Sequence, residues 1–499
     1  MSSVRLTAND GSIVEFNDNN GYPPKQGGVK DVYFTTDNKY AVAFYRNKLD
    51  AVAADRIDRL VNRYRRQIFD QPDGIYWKDI FCWPERIVKN GDLTGIVIPF
   101  YDRRFFFGPS GTSDDFLDGA EKEGKWFSSA KNFKKFVPNN QKGNFLGYLA
   151  LCINLSRGVK KLHMLGLAHS DLSYKNCLVD PLTGSACIID IDGLVVPGLF
   201  PPDVIGTRDF IAPEVYATLD LPKEQRKLPC RETDQHALSV LIYEYLFHRH
   251  PLDGDKIHDP DPDIQEKLEM GEKALFIENP YDTSNRRKVK KDEDDFLPWI
   301  DLDKLPYTIT GPYLKELFDK AFITGLHNPN ERPSADDWEV ALLKTRDLVQ
   351  PCSNKKCSMG WYVFDNKSNP VCPYCGTPYK GLLPVLDFYS KTHGDNYRVE
   401  NRRLMVYDNQ YLYQWHVNKK IYPSLSLTDQ QKQPVGYFSF HKKKWYFVNQ
   451  TLTSLFDLSD QNNPKQIPPN NMVELTDNLS LLLSKDEGGR IVHVTLANK

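Results

Sequence analysis

Apolar and polar positions follow different rhythms in different stretches of the chain. Between about Gly21 and Arg46 two runs alternate with period two, Val29-Lys30-Asp31-Val32-Tyr33-Phe34 and Tyr40-Ala41-Val42-Ala43-Phe44-Tyr45, with the turn Thr36-Asp37-Asn38-Lys39 between them. That is the pattern of a hairpin with one face toward a core. From Leu49 to Phe69 the residues Val52, Ile57, Leu60, Val61, Tyr64 and Ile68 recur at helical spacing without glycine or proline, which predicts one amphipathic helix. Strand-like runs near Ile80 to Val88 and Leu93 to Phe100 complete a small sheet with one helix. Gly108 to Asn144 is rich in Gly, Ser, Asn, Asp and Lys and is expected to include a surface insertion.

The helical period returns from Phe145 to Leu165 and stops at Gly166. Thr233 to His248, Gly311 to Leu326 and Asp336 to Leu348 read as further helices. Leu252 to Leu302 is charged, with Arg286-Arg287-Lys288-Val289-Lys290-Lys291 running into Asp292-Glu293-Asp294-Asp295, the composition of a solvated loop. After Pro351 come cysteine pairs. From about Leu386 short alternating runs follow, among them Leu404 to Tyr407, Val435 to Phe440, Trp445 to Val448 and Ile491 to Val494, which predict an all-β domain.

Composition narrows the class. The chain of 499 residues is long enough for several domains, and a formal charge of -2 gives no ground for a nucleic-acid partner or a polybasic membrane surface. The N-terminus Met1-Ser2-Ser3-Val4-Arg5 leads into polar sequence, and no run approaches the ~18 to 20 apolar residues of a membrane span. A cytoplasmic protein is expected. The nine cysteines are odd in number and four of them cluster, which points to metal rather than to a disulfide framework. Cys352 and Cys357, then Cys372 and Cys375, have the spacing of a four-cysteine zinc ribbon, a closed structural Zn2+ site.

The densest chemistry lies between His169 and Glu214. The order is His169-Ser170-Asp171-Leu172-Ser173-Tyr174-Lys175-Asn176, then Ile188-Ile189-Asp190-Ile191-Asp192-Gly193, then Gly206-Thr207-Arg208-Asp209-Phe210-Ile211-Ala212-Pro213-Glu214. Phosphoryl transfer needs a residue that orients the attacking hydroxyl and oxygens that hold magnesium across nucleotide phosphates. Asp171 is the candidate for the first task. Asn176 and a strand-end acid serve the second, with Asp190 preferred and Asp192 as alternative or helper.

Ala212-Pro213-Glu214, Asp234 at the head of an apolar helix and Asn330-Glu331-Arg332-Pro333-Ser334 follow in the order of a protein kinase, which the chain resembles from about Gly21 to Leu348. The resemblance implies an α+β two-lobe domain, the N-lobe at 1–102 and the C-lobe at 103–350 with insertions near 109–144 and 253–300. The zinc ribbon would occupy 351–380 and the β-rich domain, similar to a forkhead-associated sandwich, 386–499. It also implies that Glu214 pairs with Arg332, that Asp234 caps the backbone of the catalytic loop, that Thr207 lies beside Asp171, and that His169 is structural. ATP and Mg2+ (or Mn2+) are the implied cofactors, with Gly27, Gly28, Val32, Ala43 and Phe100 around the nucleotide.

The chain departs from the family in instructive places. Two adjacent glycines replace three spaced ones, and Tyr45 stands two residues after Ala43, where a lysine is expected. Lys30 from the glycine loop, or Arg46, is the substitute for the missing amine, Lys30 being preferred. The helix at Leu49 to Phe69 has no glutamate, leaving Asp55 or Asp58 as acidic partner. Ser170 replaces the arginine that grips a phosphorylated activation segment, and Asp190 to Glu214 holds only Thr207 among Ser, Thr and Tyr, so activation there by phosphorylation is not expected.

Together, Gly27-Gly28-Val29-Lys30-Asp31-Val32-Tyr33, His-Ser-Asp-Leu-Ser, Asp-Ile-Asp-Gly-Leu and the trailing ribbon resemble the bacterial kinases of tellurite-resistance clusters. That resemblance implies a Ser/Thr protein kinase acting on a protein substrate, with a von Willebrand A-domain protein and a metal-dependent protein phosphatase as partners. A pseudokinase scaffold and a small-molecule phosphotransferase are the alternatives; the Ala-Pro-Glu, Asp234 and Arg332 set argues against the second.

Overall fold

The structure is a computed structural model that describes residues 3–17, 25–26, 29–109, 116–196, 199–200, 206–288, 298–365, 370–392, 396–460 and 462–498. The chain divides into two compact units, Met1–Tyr307 with Glu316–Glu339, and Thr308–Lys315 with Val340–Lys499.

In the first unit β1 (Ser3–Thr7) and β2 (Ile13–Asn17) form a hairpin. A five-stranded antiparallel sheet follows, built from β3 (Lys25–Gln26), β4 (Lys30–Phe34), β5 (Tyr40–Tyr45), β6 (Arg86–Asn90) and β7 (Leu93–Pro99) in the order β3-β4-β5-β7-β6. Because strand side chains alternate, β5 serves two cores. Val42 and Phe44 pack with Ala8, Val14 and Phe16 of the N-terminal region. Ala43 and Tyr45 face the other way, onto Ile57 and Val61 of the helix. That helix starts at Asp50, whose side chain accepts the Ala53 N–H, and runs as Ala51–Arg59, a π turn at Leu60–Tyr64, and Arg65–Phe69.

Three expectations change here. The strand expected near Ile80 to Val88 begins at Arg86, and a helix, Gly74–Ile80, precedes it, followed by the buried Phe81, Cys82 and Trp83. A short apolar run buried on every side carries no period that separates helix from strand. In the expected surface insertion, Leu117, Phe127, Ala130, Phe133 and Val137 are buried, with short helices at Lys125–Ser128 and Ala130–Lys135; residues 110–115 lie outside the described set. The charged stretch after Leu252 contains a helix, Pro262–Met270, and Glu278, buried against Arg249 at 2.7 Å. Of its basic and acidic tracts, residues 289–297 lie outside the described set.

The helical part is arranged around Arg231–Phe247, which is buried without a break from Thr233 to Phe247. Phe145–Met164 is capped by Asn144 through the Gly147 N–H and ends before Gly166, whose φ of 72° suits a residue without a β-carbon. A short hairpin, β8 (Cys177–Asp180) with β9 (Ser185–Ile188), completes the part that carries the site.

The first sheet element of the second unit is a hairpin of β10 (Val349–Pro351) and β11 (Trp361–Val363). The strands β12 (Leu383–Lys391), β13 (Tyr397–Met405), β14 (Tyr411–Tyr413), β15 (Pro434–His441), β16 (Lys444–Asn449), β17 (Phe456–Asp457), β18 (Lys465–Gln466), β19 (Met472–Glu474), β20 (Ser480–Leu482) and β21 (Arg490–Ala497) follow. They form antiparallel sheets ordered β13-β12-β21-β20-β17-β18 and β14-β15-β16-β19, the all-β region expected from the alternation. Inside this unit Asp347 accepts from Arg402 at 2.6 Å and from His416 Nε2 at 3.3 Å. The Tyr413 N–H donates into His416 Nδ1, so Nε2 carries the ring proton. Burial works against the Asp347 charge, but Arg402 and His416 outweigh it and hold its pKa at about 2.

Because this carboxylate titrates lower folded than unfolded, its stabilisation is complete above the unfolded value and fades as pH falls toward about 2. We expect Asp347→Asn to lose about 2 kcal/mol less than the wild type between about pH 5 and about pH 2.5 in urea melts. An unchanged acid slope in the variant would contradict this.

Candidate active site

The β8–β9 hairpin sets the site. Cys177 pairs with Ile188, and one residue outward the Ile189 N–H donates to the Asn176 carbonyl at 3.0 Å. The loop before β8 and the segment after β9 therefore run side by side, bringing Asp171 and Asn176 to the same end as Asp190 and Asp192. Ser170 and Asp190 take left-handed backbone conformations, φ 65° and 59°. For Ser170 this region is uncommon and costs free energy, while aspartate enters it more readily.

Both carboxylate oxygens of Asp171 are engaged. One accepts the Thr207 N–H at 2.6 Å and the other the Asn176 side-chain amide at 2.9 Å. Thr207 thus lies beside Asp171 through its backbone, while its hydroxyl is 3.3 Å from Ser173. Asn176 also donates to the Asp171 carbonyl at 2.8 Å. Asp234 receives the His169 backbone N–H at 2.7 Å, so it caps the loop from the buried helix below. His169 Nε2 is 2.9 Å from the Ile189 carbonyl, tying the loop to the strand end.

Glu214 and Arg332 form a two-pronged pair at 2.8 and 2.7 Å. The arginine is buried and also donates to the carbonyls of Gly325, Glu232 and Leu326. Its guanidinium fork is the one side chain suited to so many fixed acceptors.

Lys30 crosses from the sheet to the strand-end acids. Its ammonium lies 2.8 and 2.7 Å from the two Asp192 oxygens and 3.2 Å from Asp190. Register explains the reach: Lys30 pairs directly with Tyr45, so the two side chains leave the sheet on the same face. The Lys30 amine on the neighbouring strand thus reaches the strand-end acids beside Tyr45. The Tyr45 hydroxyl donates to Asp192. Asp192 is buried with its side chain 7% exposed, whereas that of Asp190 is 50% exposed. Burial opposes the charge on Lys30, but Asp192 and Asp190 outweigh it and raise its pKa. Burial likewise opposes the Asp192 charge, and Lys30 and Tyr45 overcome it and lower its pKa. Burial and the neighbouring Asp192 push the Tyr45 phenol up, so it stays protonated.

Other sequence candidates fall elsewhere. Arg46 donates to Asp31 at 2.8 Å. On the helix, Asp55 pairs with Arg59 and Asp58 accepts from Asn62, each at 2.9 Å; the acid that meets Lys30 is Asp192. Val32 pairs with Ala43 on the inner face. Phe100 packs edge-on against Phe34 and lines a cavity of about 280 Å3 with Phe81, Trp83, Tyr101 and Phe105, a lining that does not include Lys30, Asp190 or Asp192. Gly27 and Gly28 lie outside the described residues. Sequence reasoning missed Tyr45 as a hydrogen-bond donor, although counting back from the hairpin turn pairs it with Lys30.

The second unit carries a separate cluster. The sulfurs of Cys352, Cys357, Cys372 and Cys375 all lie within 4.8 Å of one another, with Cys352 to Cys375 at 3.5 Å and Cys357 to Cys372 at 3.8 Å. Four thiolates around one Zn2+ at ~2.3 Å sit about 3.8 Å apart, so the donor set fits that ion. Gly376, with φ 72°, makes the turn after the second pair and returns its N–H to the Cys372 carbonyl at 2.8 Å.

No family model matches the sequence, and no curated protein matches it. Among solved structures the chain is similar to the kinase domain of a Toxoplasma gondii rhoptry antigen, at 13% identity and TM-score 0.39, covering 69% of this chain and 86% of that one. It is also similar to ROP2 from Toxoplasma gondii, described as a virulence factor with a protein-kinase fold and no enzymatic activity, at 16% identity and TM-score 0.41, covering 69% and 84%. Both scores are below 0.5. No helix among the described residues is long and apolar enough to cross a membrane.

Arg332→Met should destabilise the chain by about 3 to 5 kcal/mol in chemical denaturation, because it strands the Glu214 carboxylate and three carbonyls. A loss under about 1 kcal/mol would contradict the role given to this pair.

Proposed function

We propose that the first unit is an ATP- and magnesium-dependent protein kinase that transfers the γ-phosphoryl group to Ser/Thr hydroxyls. The observation that carries this reading is the convergence of Asp171, Asn176, Asp190 and Lys30 from three separate segments of the chain. Asp171 accepts a hydrogen bond from the substrate hydroxyl and takes its proton as the oxygen bonds to the γ-phosphorus. The bond from that phosphorus to the bridging oxygen breaks and ADP leaves. Lys30 supplies positive charge to the α- and β-phosphates, a task the burial and fixed direction of its ammonium favour.

Asn176 and Asp190 are the residues that would hold Mg2+ (or Mn2+), which when bound neutralises phosphate oxygens. Asp190 suits this better than Asp192 because it is half-exposed, while the Asp192 oxygens are already shared by Lys30 and Tyr45. The Glu214 to Arg332 lock supports a peptide substrate, since it fixes the segment against which a chain would lie.

The cysteine quartet is proposed as a structural zinc ribbon, and the β sheets as a forkhead-associated-like docking domain. From the family resemblance we extend the proposal to a bacterial signalling role, with a von Willebrand A-domain protein and a metal-dependent phosphatase as partners.

With γ-labelled ATP and Mg2+, the full chain should label itself or a generic protein substrate, and Asp171→Ala should lower the rate by at least about a thousandfold. Nucleotide binding without transfer would favour the scaffold reading, and transfer only to small molecules the phosphotransferase reading. Metal analysis should find about one Zn2+ per chain, and strong chelation or Cys372→Ser should unfold the 351–380 segment. A metal-free preparation with an unchanged melt would contradict the zinc assignment.

A further inference from the structure

We propose that Asp192 and Tyr45 are positioning residues that aim Lys30 at the nucleotide phosphates, so that the acid holding the phosphate-binding lysine belongs to the strand-end segment rather than to the helix of the sheet lobe. The inference rests on the phosphotransfer reading of the site.

Three features of the geometry carry it. Asp192 grips the Lys30 ammonium with both oxygens, whereas Asp190 contributes one oxygen at a longer 3.2 Å. Tyr45 is the cross-strand neighbour of Lys30 and donates its hydroxyl to the same Asp192 carboxylate, closing a three-membered network on one face of the sheet. Asp192 sits in the short 3-10 turn Ile191–Gly193, whose entry is fixed by the left-handed Asp190, so its direction is set by backbone and not by a mobile side chain. The helix offers no equivalent acid: Asp55 and Asp58 are engaged along the helix itself, and Arg56, not an acid, is its buried charged residue.

One consequence concerns control. Where a helix acid holds the lysine, swinging the helix away breaks the site. Here the metal candidate Asp190 and the lysine anchor Asp192 lie two residues apart on one segment, and displacement of that segment takes both away together.

The test is equilibrium binding of a fluorescent ATP analogue with Mg2+ to the full-length chain, with melting curves to check folding. Lys30→Met should weaken binding about tenfold, and Asp192→Asn by about five- to tenfold. The double variant should be within about twofold of Lys30→Met, because Asp192 acts through the lysine. Tyr45→Phe should cost about threefold alone and nothing further on the Lys30→Met background, which keeps the test open if Asp192→Asn does not fold. The Mg2+ midpoint of Asp192→Asn should match the wild type.

Losses that multiply in the double variants, or a Mg2+ midpoint raised about tenfold by Asp192→Asn, would overturn the inference and make Asp192 a metal ligand. Those outcomes leave the kinase reading intact, because the wild type still binds nucleotide. A wild-type chain that binds no MgATP would overturn both.

Discussion

A lysine ammonium cannot be buried without anions around it, and that constraint organises the site. Lys30 leaves the start of β4 on the face shared with Tyr45 and finds its counter-charges 160 and 162 residues further along, at Asp190 and Asp192. The sheet is thereby tied to the helical part at the acids that follow β9. The pair also accounts for a tyrosine at a position where the related pattern has an amine. A second lysine there would place two positive charges on one carboxylate, whereas a phenol donates a hydrogen bond and stays neutral.

Beneath this junction the helical part is a fixed platform. Arg231–Phe247 is buried along nearly its whole length, and its first turn presents Asp234 to the loop that carries Asp171. His169 ties the same loop to the strand end. Asp171 is therefore held through its backbone neighbours as well as through Asn176 and Thr207. Arg332, with its acceptors on four residues, anchors the segment at Glu214 in the same manner. Of the two left-handed residues in the site, Ser170 and Asp190, Ser170 carries the greater strain, and this platform holds it in place.

Local patterns in the sequence were informative where chemistry and chain are adjacent. Asp171, Asn176 and Asp190 sit around one short hairpin, so spacing alone brings them together. The cysteine quartet is legible for the same reason. Glu214 with Arg332 spans 118 residues and could be read only through resemblance to a known pattern. Lys30 is one of two basic candidates that the resemblance offers, Arg46 being the other, and its partner is not legible, because a contact across 162 residues leaves no period in either segment. The helix Gly74–Ile80 was hidden by Trp77, Ile80, Phe81 and Trp83, whose burial on all sides makes helix and strand look alike. The core residues Phe127 and Phe133 were masked by the polar composition around them. The second unit was legible as β from alternation, but its strand order depends on long-range pairing such as β12 with β21.

Under the proposed function this junction receives a magnesium-bound nucleotide. The most direct measurement is an experimental structure of the full chain with Mg2+ and a non-hydrolysable ATP analogue. The expected result is Lys30 on the phosphates with Asp192 still holding it, and the metal between Asp190 and Asn176. A nucleotide bound away from Lys30, or a metal bound by Asp192 while Lys30 stays on Asp190, would contradict it.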